Sequence, residues 1–385
     1  MRIGIDYISA FGTGGNGTYT RELTTALARK EGRDRFELYT YLHHIFPTRR
    51  YPDLSDRAVF RGVYMPSFPF PALTRWGERI SGEIFRFRSR DLDVMHFTNP
   101  FFFTKGLAKK VRVVVSIHDL SFIKDRSWVK ASTRELLMSI LPDIFREAHA
   151  LIAVSECTKR EIIAYDASVS SKTFVVHEGA NSAFGPVVPD AAFLAHYGIA
   201  QPYILTVGEI QPRKNLETIL AAYAQLPGML RSRYCLVLAG APRDSTQLQR
   251  LGECIHALKL DEQVIVVGHV PAEDLVKLYG GASLFAFASF YEGFGLPILE
   301  AMACGVPVVT SNTTSLPEIG GDSCLYAPPE DVEGFMGQFA AVLSDEILQK
   351  AMRKKGLARA GLFSWDKAAR ETRAIYRNVT GALVQ

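Results

Sequence analysis

Two carboxylates, Glu292 and Glu300, flank a glycine turn in Tyr291-Glu292-Gly293-Phe294-Gly295-Leu296-Pro297-Ile298-Leu299-Glu300. The apolar runs before it (Leu284 to Ala288) and after it (Val306 to Thr310) read as buried strands, and Pro297 suits the first turn of a helix. The unit is therefore strand, glycine turn, helix, strand. Unpaired N–H groups at such a helix start bind anions, most often phosphate. A carboxylate beside them suits the hydroxyls of a sugar. The plain alternative is two acids beside a favourable helix dipole.

A second group lies after the strand-like Tyr203–Val207, in Gly208-Glu209-Ile210-Gln211-Pro212-Arg213-Lys214-Asn215. Adjacent cations at a strand-to-helix loop suit a diphosphate, Arg213 as a fork and Lys214 as a point charge. A solvated basic pair is the alternative. The third is His118-Asp119 at the end of Arg112–Ile117. A histidine at a strand's carboxyl end would face a cleft and orient or stabilise a sugar hydroxyl there, unless it is simply structural. The fourth is Gly12-Thr13-Gly14-Gly15-Asn16-Gly17. Its spacing matches a dinucleotide fingerprint. However, several residues separate it from Asp6, and no acid ends the second strand near Leu42-His43-His44. It reads better as a flexible loop whose backbone approaches a diphosphate.

Two further groups carry less. Asp91-Leu92-Asp93 has metal-binding spacing but precedes the strand Val94–Phe97, and reads as its solvated lead-in. The first half also mixes aromatics with cations: Phe68, Phe70, Trp76, Phe85, Phe87 and Phe101-Phe102-Phe103 with Arg75, Arg79, Arg86, Arg88, Arg90, Lys105, Lys109 and Lys110. Such a mixture suits an anionic bilayer or nucleic acid, or else core aromatics with ordinary surface arginines.

The elements that must position these groups alternate strand and helix along the chain, which implies parallel, doubly wound sheets. At 385 residues the chain accommodates two such domains. Phe184 to Pro189 reads as the linker between them. The expected organisation is a first domain over 1–185, a second over 186–364, and a final helix over 365–385 with no strand after it, able to pack back across both. The facing carboxyl ends of two such sheets would form the ligand cleft.

Bulk properties limit the alternatives. Composition is 48% hydrophobic and 22% charged, as in globular proteins. No apolar run is long enough to span a bilayer, and Met1 to Asp6 enters a strand without a signal-peptide core. Five scattered cysteines form no Cys-x-x-Cys pair, which fits a reducing cytoplasm. Residues 1–185 hold 27 Lys+Arg against 20 Asp+Glu, whereas the remainder holds 17 against 20. The basic surplus therefore belongs to the first half and suggests an anionic partner there, a membrane surface or an acidic substrate.

Taken together, these motifs resemble the retaining nucleotide-sugar glycosyltransferases of family 4, with the GT-B fold of two Rossmann-like domains. Glu292 to Val309 is similar to that family's E-x7-E signature and following strand. Gly208 to Asn215 is similar to its phosphate loop, Ile117 to Leu120 to its acceptor-domain histidine motif, and Ser364-Trp365 to the point where its last helix crosses back. The resemblance implies that Glu300 holds the ribose and that Arg213 and Lys214 hold the diphosphate. Glu292 with Gly293, Phe294, Gly295 and Leu296 would hold the sugar, and the base would sit near Gly268, His269 and Val270. His118 would face the sugar, with Gly14 and Gly15 near the phosphates. It also implies that no metal or other cofactor is needed. One departure is Glu209, where many members carry Arg.

The expected activity is cytoplasmic transfer of a hexose with retention of configuration. GDP-mannose or a GDP-deoxyhexose is the preferred donor, and UDP-sugars are the alternative. The acceptor would be a lipid-linked or polysaccharide precursor at the inner membrane face, met by a peripheral contact. A nucleotide-sugar epimerase or hydrolase, and a non-catalytic nucleotide- or nucleic-acid-binding module, are the readings from other classes.

Overall fold

A computed structural model describes residues 1–12, 14–29, 33–41, 58–64 and 82–381. The chain divides into two compact units, one of Met1–Glu178 with Trp365–Gln385 and one of Gly179–Ser364.

The first unit is built on a seven-stranded parallel sheet: β1 (Arg2–Asp6), β2 (Arg35–Tyr41), β3 (Ala58–Tyr64), β4 (Val94–Phe97), β5 (Arg112–Ile117), β6 (Ala150–Ala153) and β7 (Thr173–Val175), in the order β3-β2-β1-β4-β5-β6-β7. β4 and β6 are buried at every residue, as strands covered on both faces must be. Val113, Val115 and Ile117 pack in one core with Leu137, Leu141, Ile144 and Phe145 of the helix Ala131–Glu147.

The second unit carries a six-stranded parallel sheet: β8 (Tyr203–Val207), β9 (Cys235–Ala239), β10 (Val264–Gly268), β11 (Leu284–Phe287), β12 (Val308–Ser311) and β13 (Cys324–Ala327), in the order β10-β9-β8-β11-β12-β13. In both sheets the strand order reverses next to the first strand: between β1 and β4, and between β8 and β11. Such a reversal, at the carboxyl ends of the strands, is the favoured ligand position in this architecture.

The expected linker at Phe184–Pro189 does not divide the units. The boundary falls earlier, and the stretch is docked on the second unit. Phe184 meets Tyr279 edge to face at 5.7 Å, and a Cβ at Gly280 or Gly281 would collide with Val187 or Pro189. The helix Trp365–Thr380 belongs to the first unit. Its buried face (Trp365, Ala368, Ala369, Thr372, Ile375, Tyr376) repeats at helical spacing. Arg373 of that helix donates to the Leu27 carbonyl and lies 3.9 Å from Asp34.

The aromatic stretch of the first half is only partly within the described residues; Phe68, Phe70, Arg75, Trp76 and Arg79 lie outside them. Of the rest, Phe85 is fully buried, Phe103 is buried, and Phe101 and Phe102 pack against the same core. Phe87 alone is well exposed, at 63%, with the Arg90 guanidinium 4.3 Å above its ring. Among the described residues, hydrophobic burial thus claims Phe85 and Phe103 outright and Phe101 and Phe102 in part. No helix among the described residues is long and apolar enough to cross a membrane.

Candidate active site

In the second unit, the loops after β8 and β11 leave the sheet at its switch point, and they carry Arg213, Lys214 and Glu292. Asn215 takes a left-handed backbone (φ 52°), which Asn tolerates better than most residues, and donates to the carbonyls of Ala288 at 3.0 Å and Pro329 at 2.6 Å. Phe290 N–H donates to the Arg213 carbonyl at 2.9 Å, and Ser289 Oγ lies 3.0 Å from the same oxygen. The two loops are thereby sewn together.

Glu292 is the centre of this arrangement. Its Oε1 accepts from Lys214 Nζ at 2.7 Å and from Ser289 Oγ at 2.6 Å, and lies 3.1 Å from an Arg213 nitrogen. Arg213 also donates to the Tyr291 carbonyl, and Lys214 Nζ lies 4.8 Å from the centre of the Phe287 ring. Burial would raise the Glu292 pKa, but the charges of Arg213 and Lys214, with the bonds from Lys214 and Ser289, hold it down at about 2. Burial lowers the Lys214 pKa, opposed by Glu292 and reinforced by Arg213. Two cations share one carboxylate, so the group retains a net positive charge suited to a diphosphate.

The turn behind Glu292 is tied to the loop after β12. Thr314 Oγ1 accepts from Glu292 N–H at 3.1 Å, and the Ser315 hydroxyl sits between the carbonyls of Glu292 and Phe294, at 2.9 and 2.8 Å, its one proton shared by the two. Gly295 has φ 106° and its pro-Cβ position lies 2.9 Å from Leu316, so only glycine fits there. The helix then starts at Leu296 with Pro297 in its first turn. Glu300 lies on that helix, apart from the triad, and its Oε2 accepts from the buried Tyr279 hydroxyl at 3.0 Å.

Gly208, Gly240 and Gly268 follow the carboxyl ends of β8 and β9 or close β10, all with positive φ. Gly240 N–H donates to the Gly268 carbonyl at 2.7 Å, and any side chain at Gly240 would strike the Gly208 backbone. They make a floor of bare backbone beside Lys214. His269 is exposed and Val270 buried just beyond it. Glu209 lies 3.6 Å from Arg243 Nε, so a cation from the β9 loop neutralises the unexpected acid.

The first unit carries its own group. His118 Nε2 lies 2.8 Å from the Thr98 carbonyl, which can only accept, so Nε2 holds a proton. Its Nδ1 lies 3.5 Å from the buried Glu178 carboxylate, and Tyr19 meets its ring edge-on. Behind Tyr19 runs a buried chain of polar groups: Tyr19 Oη to Ser116 Oγ at 2.7 Å, Ser116 Oγ to His96 Nε2 at 2.8 Å, and His96 Nδ1 to Tyr376 Oη at 2.7 Å. Burial and His118 push the His96 pKa down to about 3, so His96 is neutral at ordinary pH. Asp119 accepts from Ser121 N–H and Oγ at 2.9 and 2.7 Å and shapes the turn.

The glycine loop follows β1 at the other switch point. Gly14 is exposed and Gly15 opens the helix Gly15–Arg29, while Arg21 donates to the carbonyls of Ala10 and Gly12. Asp93 Oδ2 accepts from Arg2 N–H at 2.7 Å, a structural cap at the amino end of the sheet.

Ser289, Thr314, Ser315, Tyr279, Glu178, Tyr19 and Arg243 were not expected from the sequence. The hydroxyl run Ser311-Asn312-Thr313-Thr314-Ser315 was a readable signal, because so many hydroxyls in one strand-to-helix loop imply backbone to satisfy. The others come from distant positions and carry no local signal.

A family profile described as "Glycosyl transferases group 1" matches residues 197–359, and one described as "Glycosyltransferase Family 4" matches residues 13–184. The chain is 35% identical over 269 residues to the O-antigen chain mannosyltransferase B of Escherichia coli, covering 69% of this chain and 70% of that protein. It is 33% identical over 265 residues to the serotype-specific mannosyltransferase WbdA of the same species, covering 67% of this chain but only 32% of WbdA. Its fold is similar to that of sucrose-phosphate synthase from Thermosynechococcus elongatus, with a TM-score of 0.80 at 23% identity over the full length of both chains.

Proposed function

The chain belongs to glycosyltransferase family 4 with the GT-B fold, and we propose that it moves mannose from GDP-mannose to a growing polysaccharide or lipid-linked glycan with retention of configuration. The observation that carries this reading is the buried Arg213–Lys214–Glu292 triad at the sheet's switch point. The identity to two mannosyltransferases supports mannose over other hexoses.

In this reading Arg213 and Lys214 take the diphosphate, with the start of the helix Leu296–Ala303 as a further partial positive charge. Glu300 takes the ribose, steadied by Tyr279. The base lies along the glycine floor toward His269 and Val270. Glu292 and the turn Gly293 to Leu296 take the hexose. Gly14 and Gly15 lend backbone to the phosphates, and His118 acts on a sugar hydroxyl.

The acceptor oxygen bonds to the anomeric carbon on the face from which the diphosphate leaves, and its proton passes to the departing phosphate oxygen. Stabilising that leaving group is the protein's main contribution. No metal is required, because two side-chain cations and the helix start supply the charge.

A panel of nucleotide sugars scored by melting temperature tests the donor. GDP-mannose should raise the Tm most; a larger shift from a UDP-sugar would overturn the choice of base. NMR of the product's anomeric proton tests stereochemistry, and an inverted linkage would rule the proposed route out. Donor alone should stay intact, whereas free mannose or an epimer would point to a hydrolase or epimerase. Turnover should survive EDTA.

A further inference from the structure

The first unit carries a cluster of polar side chains that the transfer reaction does not use. Arg112, His149 and Lys172 stand at the amino ends of the adjacent strands β5, β6 and β7. With Ser171, Phe174 and Asn378 they line a concavity of about 300 Å³. His118 follows the other end of β5, a strand of six residues at roughly 3.3 Å each, so this place lies well away from it.

The groups around the concavity are donors. Among the described residues, the Arg112 guanidinium has neither an ion pair nor a side-chain hydrogen bond. His149 Nδ1 accepts from Val113 N–H at 3.1 Å, so the ring proton sits on Nε2, which is left to donate. Lys172 Nζ gives two bonds to the last turn of the helix Ala131–Glu147, at 2.6 Å to the Phe145 carbonyl and 2.8 Å to the Ala148 carbonyl, and keeps its third hydrogen. The Ser171 hydroxyl and the Asn378 amide complete the rim. Among the described residues the acid that acts on Lys172 is Asp166, whose Oδ1 already accepts from Ser168.

Burial lowers the His149 pKa, and the charges of Arg112 and Lys172 lower it further. Like charges gathered around a hollow without a carboxylate between them call for an anion with several acceptor oxygens. A phosphate fits, offering two oxygens to the arginine fork and others to Nε2–H and Nζ.

We propose that this concavity binds the phosphate group of a phosphomonoester or phosphodiester, as a site separate from the donor site of the second unit. Two sources share that chemistry: a free phosphorylated small molecule and the headgroup of an anionic lipid.

The test uses the full chain with two probes, inorganic phosphate and vesicles of phosphatidylglycerol in phosphatidylcholine. Phosphate binding is read from the His149 ring signals by NMR, and vesicle binding by co-sedimentation. Arg112→Gln removes an exposed, unpartnered cation and should fold normally; Arg160→Gln, at another exposed arginine of the same unit, is the charge control. Asn378→Asp, which sets an acid on the rim, is the second variant.

A saturable phosphate response weakened about tenfold in Arg112→Gln and in Asn378→Asp, but not in Arg160→Gln, supports the site and a free-phosphate source. Vesicle binding lost by the same two variants and kept by Arg160→Gln, with no phosphate response, supports the site and a lipid source. If neither probe engages, or if Arg160→Gln weakens binding as much as Arg112→Gln, the proposal fails. Donor melting shifts should stay unchanged in all three variants, which separates this site from the donor reading.

Discussion

The Tyr19 ring meets the His118 ring edge to face, with centroids 4.6 Å apart, while its hydroxyl is held 2.7 Å from Ser116 Oγ. His118 is thus oriented by a side chain that is itself anchored through Ser116 and His96 to Tyr376. Ser116→Ala removes a partner from both Tyr19 and His96. We expect it to lower stability by about 1–3 kcal/mol, the usual cost of orphaning buried polar groups. It should also lower kcat severalfold with donor KM unchanged. A variant that melts early yet keeps full kcat would show that the chain serves stability alone.

Glu292 neutralises part of the charge that a diphosphate would meet. Glu292→Gln should therefore melt below the wild type, because Lys214 loses its carboxylate, and should gain more Tm from GDP than the wild type does. Hexose transfer should nevertheless fall at least about a hundredfold, as expected for losing an oriented charged contact. Arg213→Ala and Lys214→Ala should lose the GDP shift as well as turnover. Equal GDP shifts in all three variants would contradict the division of roles.

The same carboxylate sets an acid limit. Its folded pKa, about 2, lies below its ordinary 4.5. A lowered acid pKa contributes stability fully above the unfolded value and loses it as pH falls toward the folded value. Wild-type stability should therefore decline between about pH 4.5 and 2, with a slope of at most about 1.4 kcal/mol per pH unit from this group. Denaturant titrations of Glu292→Gln across that window should show a shallower decline.

Asp6 behaves in the opposite sense. It is fully buried at the end of β1, its Oδ1 accepts from Ile8 N–H at 3.2 Å, and its Oδ2 has no hydrogen-bond partner among the described residues. Burial pushes its pKa up to about 8, offset in part by Ile8. A raised acid pKa means that the unfolded chain ionises first, so stability falls as pH rises from the ordinary carboxylate range toward 8. Asp6→Asn should flatten that fall between pH 5 and about 8. An unchanged pH–stability curve would mean that Asp6 is already ionised in the native state.

Tyr279 Oη donates to Glu300 Oε2 at 3.0 Å. Tyr279→Phe should raise donor KM a few-fold with little change in kcat, the pattern for loss of an interaction made equally in ground and transition states. A drop in kcat at constant KM would tie Glu300 to the chemical step.

The βα alternation and the E-x7-E spacing were legible because both are local patterns, readable as period and offset. β3 and β13 were not read as strands. Each lies at one edge of its sheet: β3 includes Arg61 in an ion pair, and in β13 Leu325 and Tyr326 are only partly buried. Edge strands need less continuous hydrophobicity, so their pattern fades. The linker was misread because Pro and Gly mark a turn equally well whether it is free or packed on Gly280. Glu178 and Tyr19 reach His118 only through the topology, and Arg243 reaches Glu209 only because the β8 and β9 loops abut.

The first unit is finished by residues that follow the whole of the second. During synthesis Gly179–Ser364 leaves the ribosome as an uninterrupted block and can fold at once, whereas His96 waits for Tyr376. A translation product ending at Ser364 should therefore still bind nucleotide yet transfer nothing. In a pulse-labelled folding assay, protease resistance of the second unit should precede that of the first.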